Sequence, residues 1–224
     1  ITPADFDGDG KTDIATFNNG SWSILRSQLG STTVNFGLAG DIPQPGDYDG
    51  DSKSDPAIFR PSSGDWWWLS SSDGTQRAAH WGISTDKPTA ADFDGDGKID
   101  LAVYRDGLWY IFGSGGSTII TQFGLAGDRP VVGDYDNDGK ADIAVWRPSD
   151  GVWYHLRSGD SGFRAQQFGL SSDVPSPGDY DGDGSNDLGI YRGGTWYLQR
   201  STSGFVVSQF GLPTDISAPS AFVP

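Results

Sequence analysis

The sequence predicts an all-β protein, and more narrowly a β-propeller of five blades with four antiparallel strands each. A nine-residue acidic motif recurs with a period that alternates between 42 and 45 residues, starting at Asp5, Asp47, Asp92, Asp134 and Asp179. Periods of about 40 to 50 residues are typical of solenoids, propellers and arrays. Between the motifs lie short β-branched and aromatic segments, and none has the 3.6-residue period of an amphipathic helix.

A single repeat, residues 129–170, contains four expected strands. These are residues 130–133 ahead of the acidic motif, 143–147 directly after it, 152–157, and 164–169. The Pro-Ser-Asp-Gly sequence at 148–151 is a turn signal between two of them. Four short strands joined by tight turns form one antiparallel sheet, and five such sheets form a propeller.

The third strand of every repeat carries aromatic residues at two successive positions. The first holds Trp22, Trp66, Trp109, Trp153 and Trp196, and the second holds Ser23, Trp67, Tyr110, Tyr154 and Tyr197. Because successive strand residues face opposite sides of a sheet, large side chains lie on both faces. This pattern favours a blade packed between two neighbours over a sheet with one wet face. Independent domains of about 45 residues would bury too little surface to fold alone.

We expect residues 1–224 to form one domain, because stacked repeats share a continuous core. Residues 215–224 match the lead-in strand of the other repeats, and we expect them to close the ring by pairing with or displacing the first strand, residues 1–6. The alternative is that upstream repeats are missing. Ile1 is not a start methionine and no signal peptide precedes it, which suggests a processed or excised segment.

The composition disfavours several classes of partner and site. All 30 acidic residues are Asp, 20 of them lie in the five motifs, and the formal net charge is -15. Nucleic acid is disfavoured as a partner, because phosphate binding needs clustered Lys and Arg. The absence of Cys excludes disulfides and thiolate metal sites. No apolar run approaches the ~20 residues of a membrane span.

The acidic motif predicts about five calcium sites. Ca²⁺ prefers oxygen ligands, and each motif places Asp at positions 1, 3, 5 and 9, with Gly at position 6 to permit a tight turn. The backbone carbonyl of position 7 is a further expected ligand. The predicted ligands are Asp5, Asp7, Asp9, Lys11 and Asp13; Asp47, Asp49, Asp51, Lys53 and Asp55; Asp92, Asp94, Asp96, Lys98 and Asp100; Asp134, Asp136, Asp138, Lys140 and Asp142; and Asp179, Asp181, Asp183, Ser185 and Asp187.

These motifs resemble the calcium loops of FG-GAP or VCBS repeats, the family that forms the seven-bladed head of integrin α chains. The resemblance covers the whole chain and includes a closing Phe-Gly at Phe36, Phe123, Phe168 and Phe210, with Trp81 in the second repeat. It implies a propeller with Ca²⁺ between the first and second strand of each blade, in an extracellular setting. Ser52 replaces the expected Gly and Pro56 follows Asp55, so we expect the second site to be the weakest.

The remaining residues offer no convincing catalytic pair. Asp41, Asp86, Asp128, Asp173 and Asp215 recur before a Pro as turn or cap residues. His155 occupies a strand position that is mostly apolar in other repeats, and we expect it to be packed. His80 occupies a recurring polar position. We therefore expect a binding module and not an enzyme.

The residues proposed to contact a ligand are Arg60, Arg105, Arg147, Arg192, Trp68, His80 and Trp81. The simplest interpretation of the arginines is a structural partner between blades, with recognition of an acidic sugar or carboxylate as the functional alternative. For the tryptophans, a place in the core is the commoner case and sugar stacking the alternative. The predicted function is a secreted, calcium-stabilised module for a carbohydrate or cell-surface ligand, bound at the end of the blades opposite the acidic loops. Alternatives are a structural or adhesion domain and a polysaccharide-active lyase or hydrolase domain.

Overall fold

The computed structural model describes residues 4–212, and among these the secondary structure is strands and turns without a helix. The strands are β1 (Ile14–Asn18), β2 (Ser21–Arg26), β3 (Gly30–Asn35), β4 (Ile42–Pro43), β5 (Ala57–Arg60), β6 (Asp65–Leu69), β7 (Gln76–His80), β8 (Lys87–Pro88), β9 (Leu101–Arg105), β10 (Leu108–Phe112), β11 (Thr118–Gln122), β12 (Arg129–Pro130), β13 (Ile143–Arg147), β14 (Val152–Leu156), β15 (Phe163–Gln167), β16 (Val174–Pro175), β17 (Leu188–Arg192), β18 (Thr195–Arg200) and β19 (Gly204–Gln209).

The strands form five antiparallel sheets, each made of strands consecutive in sequence, and these are the five blades of the predicted all-β propeller. The first sheet holds β1 to β3, and the others hold four strands each: β4 to β7, β8 to β11, β12 to β15 and β16 to β19. The first blade differs from the prediction of four strands, because its lead-in segment at residues 1–6 falls partly outside the described residues and residues 4–6 form no strand. The expected closing strand at 215–224 lies outside the described residues.

The fourth repeat shows how closely pattern and structure agree. β13 occupies the predicted residues, β14 ends one residue early, and β15 is shifted by one to two residues toward the N-terminus. The lead-in strand β12 has only two residues, because the chain then turns into the acidic loop. A bridge between Gly133 and Asp142 closes that loop at its base, and equivalent bridges close the second, third and fifth loops.

The chain divides into two compact units between Thr121 and Gln122. In the first unit, the buried Phe59 and Trp66 of the second blade pack in one cluster with Leu101 and Val103 of the third. In the second unit, Trp146 and Trp153 pack with Leu188 and Ile190 of the next blade in the same way.

Four of the five third-strand tryptophans are among the largest buried side chains: Trp22, Trp66, Trp109 and Trp153 are all at most 1% exposed. This agrees with aromatic packing between successive blades inside each unit. Within the described residues, no helix has the length and apolar character that a membrane crossing requires.

Candidate functional site

In the four four-stranded blades the acidic loop joins the first and second strands, and in the first blade it precedes β1. Every acidic loop turns through two left-handed residues. Positions 4 and 6 have positive φ in all five loops. Gly occupies eight of these ten positions, as this conformation favours, and the exceptions are Ser52 at 68° and Asn137 at 58°. The predicted need for Gly at position 6 is therefore a real backbone requirement that Ser52 meets under strain.

The first and last aspartates of each loop are held by backbone N–H groups. In the first loop, Gly8 N donates to Asp5 Oδ1 at 2.7 Å and Gly10 N donates to Asp5 Oδ2 at 2.9 Å. Asp13 Oδ2 accepts from Phe6 N at 2.8 Å, and the equivalent bond occurs in all five loops. These bonds fix the carboxylate positions and hold the loop in a tight coil.

A serine in the hairpin between the third and fourth strands binds every acidic loop. Its N–H donates to the aspartate at position 9, and its hydroxyl donates to the aspartate at position 5. In the first loop, Ser27 N donates to Asp13 Oδ1 at 2.7 Å and Ser27 Oγ donates to Asp9 Oδ2 at 2.6 Å. The equivalent serines are Ser71, Ser114, Ser158 and Ser201. The sequence analysis did not predict these serines, although one serine recurs 14 or 16 residues after the aspartate at position 9 of each loop.

The structure brings three carboxylates of every loop together, with one oxygen of each within 4.8 Å of the others. In four loops these belong to positions 1, 3 and 9; in the third they belong to Asp92, Asp94 and Asp96, at positions 1, 3 and 5. The predicted ligand at position 5 is directed at the hairpin serine in all five repeats, and it closes the cluster in the third. Ligation by the position 7 carbonyl stays a prediction.

The aspartate at position 3 of each loop shows whether a cation fits among the carboxylates. In the first and fifth loops, its Oδ2 accepts N–H groups from the neighbouring hairpin, as in Leu29 N to Asp7 Oδ2 at 3.0 Å and Ser203 N to Asp181 Oδ2 at 2.8 Å. The other oxygen, Oδ1, is buried without a hydrogen-bond partner in Asp7, Asp136 and Asp181. A buried anionic oxygen without a donor is costly, and a cation among the three carboxylates would satisfy it. The residues present fit Ca²⁺.

The pKa shifts differ within a loop: burial raises the pKa at position 9 in four loops, whereas the hydrogen bond from the hairpin serine lowers the pKa at position 5 in the first, third and fifth. Burial raises the pKa of Asp55 and of Asp100 to about 6, against their backbone hydrogen bonds. Burial and the neighbouring Asp138 and Asp134 also raise the pKa of Asp136. A bound divalent cation reverses this effect, because it favours the ionised carboxylates.

Two grooves lie at equivalent positions, each lined mostly from the opposite end of the blades and by one outer-strand residue, Gln76 or Phe163, nearer the acidic loops. The first, groove A, has a volume of about 540 Å³ and lies between the first and second blades. Its lining is Asn19, Gly20, Ser21, Asn35, Phe36, Gly37, Leu38, Ile58, Arg60, Trp67 and Gln76. Amide and hydroxyl groups therefore surround a partly exposed indole, a mixture suited to a polar ligand with an apolar face.

The second, groove B, has a volume of about 270 Å³ and lies in the second unit. Its lining is Phe123, Gly124, Leu125, Val145, Arg147, Tyr154 and Phe163. The backbone positions correspond to those of groove A, but Gln76 is replaced by Phe163 and Trp67 by Tyr154. Groove B is consequently more apolar, and its Leu125 and Phe163 are 56% and 57% exposed.

The recurring arginines hold the grooves in shape. Arg60 pairs through Nε and Nη2 with both oxygens of Asp41, at 2.9 and 2.8 Å, and its guanidinium lies 5.6 Å from the centre of the Trp67 ring. The same pairs join Arg105 to Asp86, Arg147 to Asp128 and Arg192 to Asp173, always 19 residues apart. The aspartates also cap the preceding turn, as predicted. The arginines are thus structural partners, but each pairs with an Asp that begins its own blade and not with a neighbouring blade as expected.

The other predicted ligand residues lie in different surroundings. Trp68 stacks on Tyr48 at 5.3 Å, and Trp81 Nε1 donates to Tyr110 O at 3.0 Å, so both rings pack against the core of the first unit. His80 is exposed, and its Nδ1 lies 2.8 Å from Asp65 Oδ1. Their contact with a ligand stays a prediction.

His155 is packed as expected. It is 8% exposed, stacks on Tyr135 at 4.0 Å, and burial lowers its pKa to about 4. Its Nε2 is buried without a hydrogen-bond partner. The ring is therefore neutral at pH 7 and belongs to the packing beneath the fourth acidic loop.

Comparison with known proteins decides the family. The FG-GAP-like repeat family matches three overlapping segments, residues 47–103, 92–145 and 134–190, which together cover more than half of the chain. The chain belongs to the FG-GAP-like repeat family. No curated protein matches this FG-GAP-like chain by sequence.

Several solved structures share the fold of this FG-GAP-like protein. A lectin from Agrocybe aegerita that specifically recognises non-reducing terminal N-acetylglucosamine has 18% identity and a TM-score of 0.60, with 92% of this chain and 64% of the lectin covered. A streptogramin B lyase has 10% identity and a TM-score of 0.60, with 95% and 71% covered. BBS1N, in complex with ARL6DN, has 14% identity and a TM-score of 0.55, with 90% and 64% covered. The chain thus spans about two thirds of each, and at these identities the likeness shows the fold alone.

Proposed function

We propose that this FG-GAP-like chain is a calcium-stabilised module that binds carbohydrate outside the cell, with its ligand in the grooves opposite the acidic loops. The observation that carries the proposal is groove A, which combines the Trp67 ring with Asn19, Asn35 and Gln76. Sugars present hydroxyl groups around a ring and apolar C–H faces, so amides and an aromatic ring are complementary to them. The lectin of the same fold is consistent with this use, and the carbohydrate here remains a proposal.

Calcium has a structural role in this proposal. Positions 1, 3, 5 and 9 of each loop and the carbonyl of position 7 would hold the ion, which neutralises the clustered carboxylates. The hairpin serines keep the aspartates oriented, as in Ser201 Oγ to Asp183 Oδ2 at 2.6 Å. A bound ion would therefore link the acidic loop of a blade to the last hairpin of the same blade. Extracellular calcium, near millimolar, suits such modules.

Groove B supports a second candidate, a protein ligand. Its lining of Phe123, Leu125, Tyr154 and Phe163 offers apolar surface with little hydrogen-bonding capacity. An apolar side chain of a partner protein fits this lining better than a sugar does. The adhesion alternative therefore rests on groove B and the lectin alternative on groove A.

Catalysis is less well supported. Neither groove is lined by a carboxylate or a histidine, and general acid–base chemistry needs such groups within reach of the ligand. His80 pairs with Asp65 at the edge of the second blade, and its side chain is 68% exposed to solvent. The pair is therefore not shielded from water. The lyase of the same fold keeps the enzyme alternative open to test.

A glycan array with the full chain in 1 mM Ca²⁺ tests the proposal. We expect binding to neutral oligosaccharides, lost in a Trp67→Ala variant that remains folded at the assay temperature despite the lost packing against Ile58. Array-wide absence of binding by the wild-type chain would overturn the carbohydrate proposal. Release of cleaved products from a bound polysaccharide, abolished in His80→Ala, would favour the enzyme.

A further inference from the structure

Successive acidic loops are bonded to one another within each unit. The N–H of position 8 in one loop donates to the carbonyl of the first aspartate in the preceding loop. The bonds are Ser54 N to Asp5 O at 2.6 Å, Ile99 N to Asp47 O at 2.8 Å, and Asn186 N to Asp134 O at 2.6 Å. Each bond therefore joins the predicted ligand at position 1 of one loop to the residue just before the aspartate at position 9 of the next loop. The loops are therefore not independent clusters.

The fourth and fifth loops are joined by two asparagines that occur at these positions in no other repeat. Asn186 Oδ1 accepts from Asp134 N at 3.1 Å, so Asn186 holds both backbone groups of the first aspartate in the fourth loop. In the other direction, Asn137 Nδ2 donates to Asp183 O at 3.3 Å. The equivalents of Asn186 are Thr12, Ser54, Ile99 and Ala141, and those of Asn137 are Gly8, Gly50, Gly95 and Gly182.

Close packing supports the hydrogen bonds. A Cβ atom on Gly133 would lie 2.5 Å from the Asn186 amide carbon, and one on Gly184 would lie 2.7 Å from Asn137 Oδ1. Each asparagine thus occupies the space that a glycine of the partner loop leaves open. In the first unit, Ile99 fills the contact equivalent to that of Asn186, 2.6 Å from a Cβ on Gly46, without a side-chain hydrogen bond. Lysine stems cover the position-4 glycines, with Lys53 against Gly8 and Lys98 against Gly50. A flexible lysine stem fixes its neighbour less firmly than a hydrogen-bonded amide does.

We propose that Asn137 and Asn186 are positioning residues that couple the fourth and fifth calcium sites, so that these two sites fill together. The inference rests on the proposed calcium function of the loops. Without a cation, clustered carboxylates repel and loosen a loop, and bonds between two loops reach full strength only when both are ordered. An ion in either loop therefore orders the backbone and side-chain groups that hydrogen-bond to the other loop. The fourth and fifth sites gain two side-chain bonds in this way, which the first three lack among the contacts described.

Calorimetric titration of the EDTA-treated full chain with CaCl₂ tests the coupling. The variant Asn137→Gly/Asn186→Ser gives these loops residues that the second loop already carries, so it retains a fold-compatible sequence. We expect the affinity of two of the sites to fall about fivefold to tenfold, the worth of one or two hydrogen bonds, and their joint transition to separate into two steps. The matched control is Ser54→Ala, which keeps the backbone bond and leaves the titration unchanged.

A second variant separates coupling from a simple loss of fold. Asp181→Asn damages the fifth loop alone, and coupling predicts that two tight sites weaken. Asp7→Asn in the first loop is the control, and there the second site weakens less than the fourth site does in Asp181→Asn, because, among the described residues, only the backbone bond joins the first two loops. Superimposable titrations of the wild type and the double variant, with normal calcium binding in both, overturn the coupling. Absence of calcium binding to the wild-type chain instead overturns the calcium proposal itself.

Discussion

The two ends of the blades differ in how strictly they repeat. At the acidic end, every repeat keeps its four aspartates, its left-handed turns and its hairpin serine. At the other end, the Asp–Arg pair recurs four times, but the residues that line the grooves change from one repeat to the next. Asn18 occupies the Arg position of the first repeat, and Trp67 of groove A becomes Tyr154 in groove B.

This difference separates a shared structural device from a place where ligand chemistry can vary. Five loops of one design can each hold a cation, so repetition at this end is useful for stability. A groove formed by two successive blades acquires its own lining, because each blade contributes different side chains. We therefore expect the acidic end to stabilise the fold and the groove end to determine which ligand is bound.

Calcium removal gives the largest expected effect. At about 1 mM Ca²⁺ and a Kd near 10⁻⁴ M, each site adds roughly 1.4 kcal/mol and five sites about 7 kcal/mol. For a chain of this size we expect EDTA to lower the Tm by roughly 15 °C or more, measured by calorimetry at constant ionic strength. Restored Ca²⁺ should restore the Tm, and an unchanged Tm in EDTA would show that the acidic end does not hold the fold through calcium.

His155 breaks the uniformity beneath the acidic loops and creates an acid-sensitive point. Its folded-state pKa of about 4 lies below the ordinary 6.5, so the unfolded chain takes up a proton first as the pH falls. Stability is therefore full above pH 6.5 and is lost as the pH falls toward 4. We expect His155→Leu, which copies Leu198 of the fifth blade, to gain about 2 to 3 kcal/mol over the wild type on going from pH 7.5 to 4.5.

Urea unfolding at both pH values measures that gain. Comparing the variant with the wild type at each pH cancels the protonation of the calcium ligands, which affects both. An equal difference at pH 7.5 and pH 4.5 would mean that His155 is not the acid-sensitive group.

The contrast between the grooves predicts a smaller, ligand-specific effect. We expect Trp67→Ala to reduce glycan affinity at least about tenfold, because it removes the aromatic surface of groove A. Tyr154→Ala in groove B should leave glycan affinity unchanged, and titration of both variants against the same oligosaccharide makes the comparison. Equal losses in the two variants would break the distinction between the grooves.

Ser52 gives the smallest expected effect. Its φ of 68° belongs to a position where the other four loops have Gly at 84° to 92°. We expect Ser52→Gly to stabilise the protein by roughly 0.5–1 kcal/mol through relief of backbone strain. Gly97→Ser, placed where an added Cβ meets no atom within 4 Å, is the reverse control and should destabilise by a similar amount. A change of the same sign in both variants would contradict the strain argument.

The fold and the acidic loops could be predicted from the sequence because their signals are local and repeated. Residues 143–147, for example, form β13 as their β-branched and aromatic pattern indicates. The hairpin serines and the Asp–Arg pairs also recur at fixed spacings, but each member looks ordinary until its partner across the blade is known. The grooves could not be predicted, because Leu38 and Trp67 come from successive repeats and meet only in the folded chain.

Counting the calcium ions bound to the folded chain tests the central claim most directly. The chain would be treated with EDTA, dialysed against 1 mM Ca²⁺ and analysed for metal and protein in the same sample. We expect about five ions per chain, with one fewer in Asp7→Asn. A content no higher than in the dialysis buffer would contradict the assignment of the acidic ends as calcium sites.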